Sequence, residues 1–298
     1  MCALSIVLGP SSAQAFGLRD RPTHWPRGRT VEFVVNLANV PAAFPREQYL
    51  EYLRKAVAAW RAIETVDLPF VIGSTLTDET KIEPQEDGMN MIFWKPNFVP
   101  HDQFAGKAYP YDKECDILLA PKSPVTLLDV QAIIMHELGH CMGLAHSTAT
   151  SIMTKFQGLP SIGYDDMIAL TLLYPDQTRP LATATITGKV TCHGQPLVGA
   201  VLRVMDTRTQ RIVLAGFSGL IDRQRRLDAS GRFELPGLPL GPTVLKVEPM
   251  DAFAAANPSG YGAPMDTPPP SFQPLQVTIP ALKAGTVHDL GTLNVESR

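Results

Sequence analysis

Hydrophobic and polar residues follow two different periods along the chain, and the period changes close to residue 175. Before that point, apolar residues recur at helical spacing in three segments, which predicts three helices. The predicted helices are 46–63 (REQYLEYLRKAVAAWRAI), 126–144 (TLLDVQAIIMHELGHCMGL) and 164–174 (YDDMIALTLLY). Short apolar runs bounded by turn residues predict strands at 31–35, 68–72, 89–94 and 116–120. This part of the chain is therefore predicted to be α+β.

Beyond a predicted linker at 175–184 (PDQTRPLATA), the pattern is that of strands alone. The short β-like runs are TITGKV, AVLRVMD, RIVLAGF, GRFEL, TVLKVEP, LQVTIP and HDLGTLNV. Glycine and proline separate them at a spacing that is typical of a β-sandwich. Because 298 residues leave room for two domains, we predict an α+β domain over 16–177 and an all-β sandwich over 183–298.

Composition and charge narrow the class of protein. Hydrophobic residues make up 45% of the chain and charged residues 18%, which is typical of a globular protein. The formal net charge is −3, and no cluster of lysine and arginine is present, so a nucleic-acid partner is not expected. No apolar run is long enough to span a membrane.

The first residues resemble a short secretory signal. Residues 2–9 (CALSIVLG) form a small apolar core, and Ala13-Gln14-Ala15 matches the small-x-small cleavage pattern. We therefore predict a signal peptide over 1–15, a mature chain that begins at Phe16, and a secreted, extracellular or periplasmic location. A wrongly assigned start codon or an ordinary apolar N-terminus is the alternative.

Cysteine usage leaves two interpretations open. Without Cys2, three cysteines remain, and an odd number does not make a disulfide framework. Cys115 could pair with Cys141, or these two and Cys192 could all be free and buried.

The segment 133–153 (IIMHELGHCMGLAHSTATSIM) carries the clearest chemistry. His136 and His140 are four residues apart, so on a helix they project from one face and can share a metal ion. Gly143 can take a positive φ and end the helix, after which the chain can fold back so that His146 completes a site of three nitrogens. The fourth position is then open to water, as catalytic zinc requires.

Glu137 follows the first histidine, so its carboxylate can reach that water. Zinc lowers the pKa of bound water to about 7 and polarises a scissile carbonyl, while a carboxylate can take the proton and pass it to the leaving amine. Five positions of H-E-x-x-H-x-x-G-x-x-H are filled on a predicted helix with a glycine stop, which favours a metal site over a chance match.

The stretch HELGHCMGLAH resembles the signature of the metzincin zinc peptidases. Met153 stands where metzincins place the methionine turn, as a hydrophobic floor beneath the metal. Ser147, the helix DDMIALTLLYP, and the segments EDGMNMIFW and AGKAYPYDKECDILLA are similar to the matrixin branch. The resemblance covers residues 25–175. It implies a mixed five-stranded sheet, three helices and a cleft along the edge strand, where a peptide binds in extended form.

The chain departs from its relatives at several positions. Lys155 stands where astacins and serralysins carry a tyrosine ligand, so no fifth protein ligand is expected. Only His101 and Asp102 precede the helix as candidate ligands, so a second, structural zinc site is not expected, and a calcium site is left open. Residues 154–163 (TKFQGLPSIG) are expected to form the outer wall of the specificity pocket.

The matrixin resemblance also raises a hypothesis about the mature N-terminus. The ammonium group of Phe16 would dock on Asp165 or Asp166 of the closing helix. The alternative is that both aspartates simply cap that helix.

Residues 185–298 resemble the carboxypeptidase regulatory-like domain, a prealbumin-like sandwich, with an insertion near 216–227. CHGQ (192–195) is predicted to be a hairpin turn rather than a metal site. Whether this domain binds substrate, binds a surface or stabilises its neighbour is left open.

These patterns favour a secreted, zinc-dependent endopeptidase that acts on proteins or peptides. His136, His140 and His146 would bind zinc, Glu137 would act as general base, and Met153 and Gly143 would support the site. The rival hypothesis is a surface-binding or adhesion protein whose sandwich is the active part, with a non-catalytic zinc fold. A zinc hydrolase of non-peptide amides is a third. The first is preferred because degeneration usually removes the glutamate or a ligand, and all are present.

Overall fold

The computed structural model describes residues 25, 26, 28, 30–68, 70–96, 106–120, 126–154, 161–221, 226–263, 265 and 269–297. The chain divides into two compact units. The N-terminal unit holds residues 21–145 and 151–181, and the C-terminal unit holds residues 146–150 together with 182–298. The short segment 146–150 therefore belongs to a different unit from the residues on either side of it.

The N-terminal unit contains the mixed five-stranded sheet that the matrixin resemblance implied. Its strands are β1 Val31–Asn36, β2 Phe70–Leu76, β3 Asn90–Trp94, β4 Gly106–Pro110 and β5 Cys115–Leu119. Their order is β2-β1-β3-β5-β4, with β4 antiparallel to β5 and the other pairs parallel. Strand β4 lies at the edge of the sheet, where one side of its backbone is left for another partner.

Among the described residues of this unit there are three helices, as expected: α1 Arg46–Arg61, α2 Leu127–Cys141 and α3 Tyr164–Leu173. Helix α1 buries one face, whose spacing of three and four residues is that of an amphipathic helix. It packs against α2, and the indole Nε1 of Trp60 donates a hydrogen bond of 2.9 Å to the carbonyl of Met135. Helix α2, which carries two of the histidines, is therefore held from within the core.

The start of α2 is fixed by a reciprocal cap. The Thr126 hydroxyl accepts the N–H of Asp129 at 3.2 Å, and the Asp129 carboxylate accepts the N–H of Thr126 at 2.7 Å. Two backbone donors that a helix start leaves unpaired are satisfied in this way, which fixes where the helix begins.

The end of α2 is fixed by a covalent bond. A disulfide joins Cys141, the last residue of α2, to Cys115, the first residue of β5. The indole Nε1 of Trp25 donates to the Cys141 carbonyl at 2.8 Å. Of the two interpretations of the cysteines, pairing is confirmed, and Cys192 is a free, partly buried thiol.

The C-terminal unit contains two four-stranded sheets. The first has the order β10-β6-β13 with β7 beside β6, and the second has the order β12-β11-β8-β9. The strands are β6 Ala184–Cys192, β7 Gln195–Pro196, β8 Val201–Asp206, β9 Ile212–Phe217, β10 Arg232–Leu238, β11 Thr243–Glu248, β12 Leu275–Ile279 and β13 Val287–Val295. All seven predicted strands are present. Assignment to the carboxypeptidase regulatory-like domain stays a prediction.

Two details of the C-terminal unit bear on the sequence predictions. His193 and Gly194 have φ values of 50° and 75° and form the two-residue turn between β6 and β7, so the hairpin predicted for CHGQ is confirmed. A short helix, α4 Ala252–Ala256, and a 3-10 turn, Pro258–Tyr261, were not predicted, so the expectation of an all-β unit was incomplete.

Several predictions concern positions outside the described residues. They are the signal peptide over 1–15, the N-terminus at Phe16, the candidate ligands His101 and Asp102, and residues 155–160 of the expected pocket wall. Within the part of the chain that the structure describes, no helix is both long and apolar enough to cross a membrane.

Candidate metal centre

Helix α2 presents His136 and His140 side by side. They lie one turn apart, and their ring centroids are 4.8 Å from each other at an interplanar angle of 88°. Both side chains are half-buried, so they reach the surface of the unit while their bases are packed. This is the arrangement that the four-residue spacing predicted.

The chain leaves α2 through a turn at Gly143. Its φ of 100° is a conformation that side chains disfavour, and the N–H of Leu144 donates to the Gly139 carbonyl at 3.0 Å. The chain then brings His146 back toward the helix. One ring nitrogen from each of His136, His140 and His146 lies within 4.8 Å of the other two. The three histidines that the sequence singled out are thus brought together.

Hydrogen bonds to backbone carbonyls orient the two helical histidines. Nδ1 of His136 lies 2.7 Å from the carbonyl oxygen of Ile152, and Nδ1 of His140 lies 2.8 Å from that of Leu144. Because a carbonyl only accepts, each Nδ1 must carry the proton and donate it, which leaves the Nε2 lone pair as the ligand atom. Residue types alone could not reveal these two partners, since any residue supplies a carbonyl.

Glu137 is held against the edge strand. Its side chain is buried, and its carboxylate accepts the N–H of Ala108 in β4 at 2.7 Å. The close approach depends on Gly106, where a Cβ would lie 2.5 Å from Cγ2 of Ile133 and 3.3 Å from the Glu137 carboxylate. The sequence motif identified Glu137, but not Ala108 or Gly106.

Met153 fits beneath α2 through a gap at a glycine. A Cβ on Gly139 would lie 2.2 Å from Sδ of Met153 and 3.4 Å from the Trp60 ring, so only glycine leaves room for the thioether. Met153 is buried at 1% exposure and lies under the turn of helix between the two ligand histidines. Its position agrees with the hydrophobic floor that the resemblance implied.

The turn that carries Met153 is tied to α3 by Asp166. The buried carboxylate accepts the N–H of Ile152 at 3.0 Å, the N–H of Gly163 at 2.7 Å and the hydroxyl of Ser151. Burial raises the pKa of the Asp166 carboxyl, while these hydrogen bonds act against the rise. The bond to Gly163 caps α3, so the capping alternative holds for Asp166. Docking of an N-terminal ammonium on Asp165 stays a prediction.

The sequence profile of the matrixins (peptidase M10) matches residues 24–175, just over half of the chain. This chain belongs to the matrixin family. Matrixins are metzincin zinc peptidases, so the family implies a zinc site. A comparison with curated protein sequences gives no match.

Solved structures give weaker similarity. Archaemetzincin from Methanopyrus kandleri has 15% identity and a TM-score of 0.34, over 50% of this chain and 97% of that one. The TIE protein of Bacillus anthracis has 16% identity and a TM-score of 0.24, over 39% of this chain. GBS52, a minor pilin of Streptococcus agalactiae, has 17% identity and a TM-score of 0.23, also over 39%. This matrixin spans 17% of the TIE protein and 45% of the pilin, and scores this low carry no argument.

The histidines of this matrixin suit the metal that its family implies. Imidazole nitrogen is a preferred ligand of zinc, and three protein ligands with one open position are typical of catalytic zinc. Calcium would require six or more oxygen ligands, which the three imidazoles do not offer. The donor set therefore fits zinc.

Proposed function

We propose that this matrixin is a secreted zinc endopeptidase in which His136, His140 and His146 bind the ion and Glu137 is the general base. The observation that carries the proposal is the convergence of the three ring nitrogens within 4.8 Å, next to a carboxylate on the same helix. Orientation of His136 and His140 by backbone carbonyls supports ligation through Nε2.

The residues around the centre divide the chemistry among them. A zinc ion bound there would supply a Lewis acid and a water of lowered pKa. Glu137 takes the proton of the attacking water and passes it to the leaving amine, which is the role of a positioned carboxylate in general acid–base catalysis. The N–H of Ala108 holds that carboxylate in one orientation at 2.7 Å, so that little ordering is needed when substrate arrives.

Strand β4 provides a place for the substrate. It lies at the end of the sheet order, and its backbone pairs with β5 along one side. An extended peptide can add to such an edge as a further strand, which would carry it past Glu137. Cleavage inside an extended chain is the activity that this arrangement favours.

Secretion is proposed on two observations. Residues 1–15 carry the pattern of a signal peptide. The Cys115–Cys141 disulfide is of a kind that persists in oxidising compartments. Mass spectrometry of the exported protein tests this, and a mature N-terminus other than Phe16 would contradict the predicted cleavage site.

The test of the proposed activity compares wild type with Glu137→Gln. Zinc content and cleavage of a mixture of unfolded proteins are measured side by side, with Glu51→Gln, an exposed glutamate of α1, as control. We expect one zinc per chain in all three proteins. The cleavage rate should fall by a factor of about 100 or more in Glu137→Gln and stay at the wild-type rate in Glu51→Gln. Cleavage that survives in Glu137→Gln would refute its role as base. Zinc without cleavage in wild type would favour the binding or adhesion role.

A further inference from the structure

His146, the third histidine, begins the segment His146–Thr150, which belongs to the C-terminal unit. The N–H of Thr150 donates to the carbonyl of Ile212 in β9 at 3.0 Å. The Nε of Arg203 in β8 donates to the carbonyl of Thr148 at 3.2 Å. The middle and the last residue of the segment His146–Thr150 are thus bonded to residues from the C-terminal part of the chain.

His146 itself makes two contacts of this kind. Its N–H donates to the carbonyl of Gly260 at 2.9 Å, and its ring lies 5.6 Å from the ring of Tyr261 at an angle of 52°. Tyr261 is only 6% exposed, because it packs in a hydrophobic cluster with Val201 and Phe217. A ring held that firmly limits the rotamers that the imidazole can adopt.

Arg203 connects these contacts to one another. Its guanidinium pairs with Glu248 in β11 at 2.6 Å and lies 3.8 Å from a carboxylate oxygen of Asp251. Asp251 caps α4 by accepting the N–H of Ala254 at 2.8 Å, and α4 leads directly into the turn that bears Tyr261. The Arg203 side chain is three-quarters buried among these partners. A connected polar network therefore fixes the segment that follows His146.

We propose that Tyr261 and Arg203 are positioning residues for His146, the third zinc ligand. The inference rests on the proposed function, since it takes His146 to be a ligand. A ligand held in place before the metal arrives loses less conformational freedom on binding. Loss of the groups that orient a ligand typically weakens metal binding about 10–100-fold.

The experiment measures zinc affinity of the full chain by competition with a chromogenic chelator, without substrate. Tyr261→Leu removes the ring and Tyr261→Phe keeps it, while Phe217→Leu is the matched control, since Phe217 is also 6% exposed in the same cluster. We expect zinc affinity to fall about tenfold or more in Tyr261→Leu and to stay within twofold of wild type in the other two. Thermal unfolding of the metal-free proteins is measured as well, because it shows how far each substitution disturbs the packing when no zinc is bound.

Arg203→Met provides a second variant should Tyr261→Leu fail to fold, because the Arg203 side chain is partly exposed and Arg203 is not a member of the hydrophobic cluster. It too should weaken zinc binding. Wild-type affinity in both Tyr261→Leu and Arg203→Met would overturn the inference, as would an equal loss in Phe217→Leu. If wild type binds zinc but cleaves no substrate, the proposed endopeptidase function fails. The zinc affinities of the variants would still test whether Tyr261 and Arg203 position His146. A wild type without zinc would overturn both.

Discussion

The Cys115–Cys141 disulfide should be a major source of stability for the N-terminal unit. It ties the first residue of β5 to the last residue of the helix that carries His136 and His140. Replacing both cysteines with alanine removes the bridge and frees the unfolded chain from the loop that it closes. The expected result is a loss of stability that arises chiefly in the unfolded state.

The size of that loss follows from the length of the closed loop. The two cysteines are 26 residues apart. The chain-entropy relation for a loop of this length gives about 3.5 kcal/mol at 25 °C. Folded domains are typically stable by only about 5–15 kcal/mol in total, so the variant should lose a large share of its stability.

Tryptophan fluorescence during urea unfolding measures this loss in the right part of the molecule. The three tryptophans of the chain, Trp25, Trp60 and Trp94, are all buried in the N-terminal unit. With a urea dependence of about 2 kcal/mol per molar, the double alanine variant should unfold about 1.5–2 M earlier than wild type. Cys192→Ser is the control, because Cys192 is free and belongs to the C-terminal unit.

An unchanged midpoint for the double alanine variant would refute this reasoning. An equal shift in Cys192→Ser would also refute it, because that thiol closes no loop. Both paired cysteines are fully buried, so reduction of the wild type must be carried out on the unfolded protein before refolding. The reduced wild type should then match the double alanine variant, which separates loss of the bridge from any effect of the new side chains.

Two further predictions concern buried groups in the N-terminal unit. Gly139→Ala should lower stability by about 1 kcal/mol although alanine favours helix, because the new Cβ meets Met153 at 2.2 Å; urea unfolding should show no such loss in the Met153→Ala background. Burial raises the pKa of Asp116 from 3.8 to about 6, so its folded form favours the proton and its stabilising contribution is lost as pH rises through 6. The stability of wild type relative to Asp116→Asn should fall by about 2.5 kcal/mol between pH 4 and pH 7, and a constant difference would contradict this.

Local patterns in the sequence predicted most of the elements and the three histidines that the structure brings together. The cap of α2 needs only Thr126 and Asp129, three residues apart, and the helical histidines need only a spacing of four. The end of the helix at Gly143 was predictable in the same way, because the positive φ there depends only on that residue being glycine. Each of these features depends on neighbours in sequence, where spacing determines geometry.

Contacts between distant residues were not predictable in the same way. The carbonyl of Ile152 that orients His136 has no side-chain signature, and neither has the N–H of Ala108 that holds Glu137. Strand β4, GKAYP, contains no β-branched or large aliphatic residue, so hydrophobic alternation does not indicate it, and only its resemblance to a matrixin segment did. The pairing of Cys115 with Cys141 was left open because sequence contains no distances.

His146 combines both cases. Its proposed role as a ligand rests on its place in the motif, three residues after Gly143, but the groups that hold it come from elsewhere. Arg203 lies 55 residues beyond Thr148, whose carbonyl it binds, and the turn that contains Tyr261 is further still. An intact motif therefore ensures that three imidazoles are present, but not that the third is held ready for metal. If Arg203 and Tyr261 position His146 as proposed, substitution of either residue changes zinc affinity while the motif stays the same, and residues 136–146 alone do not reveal this.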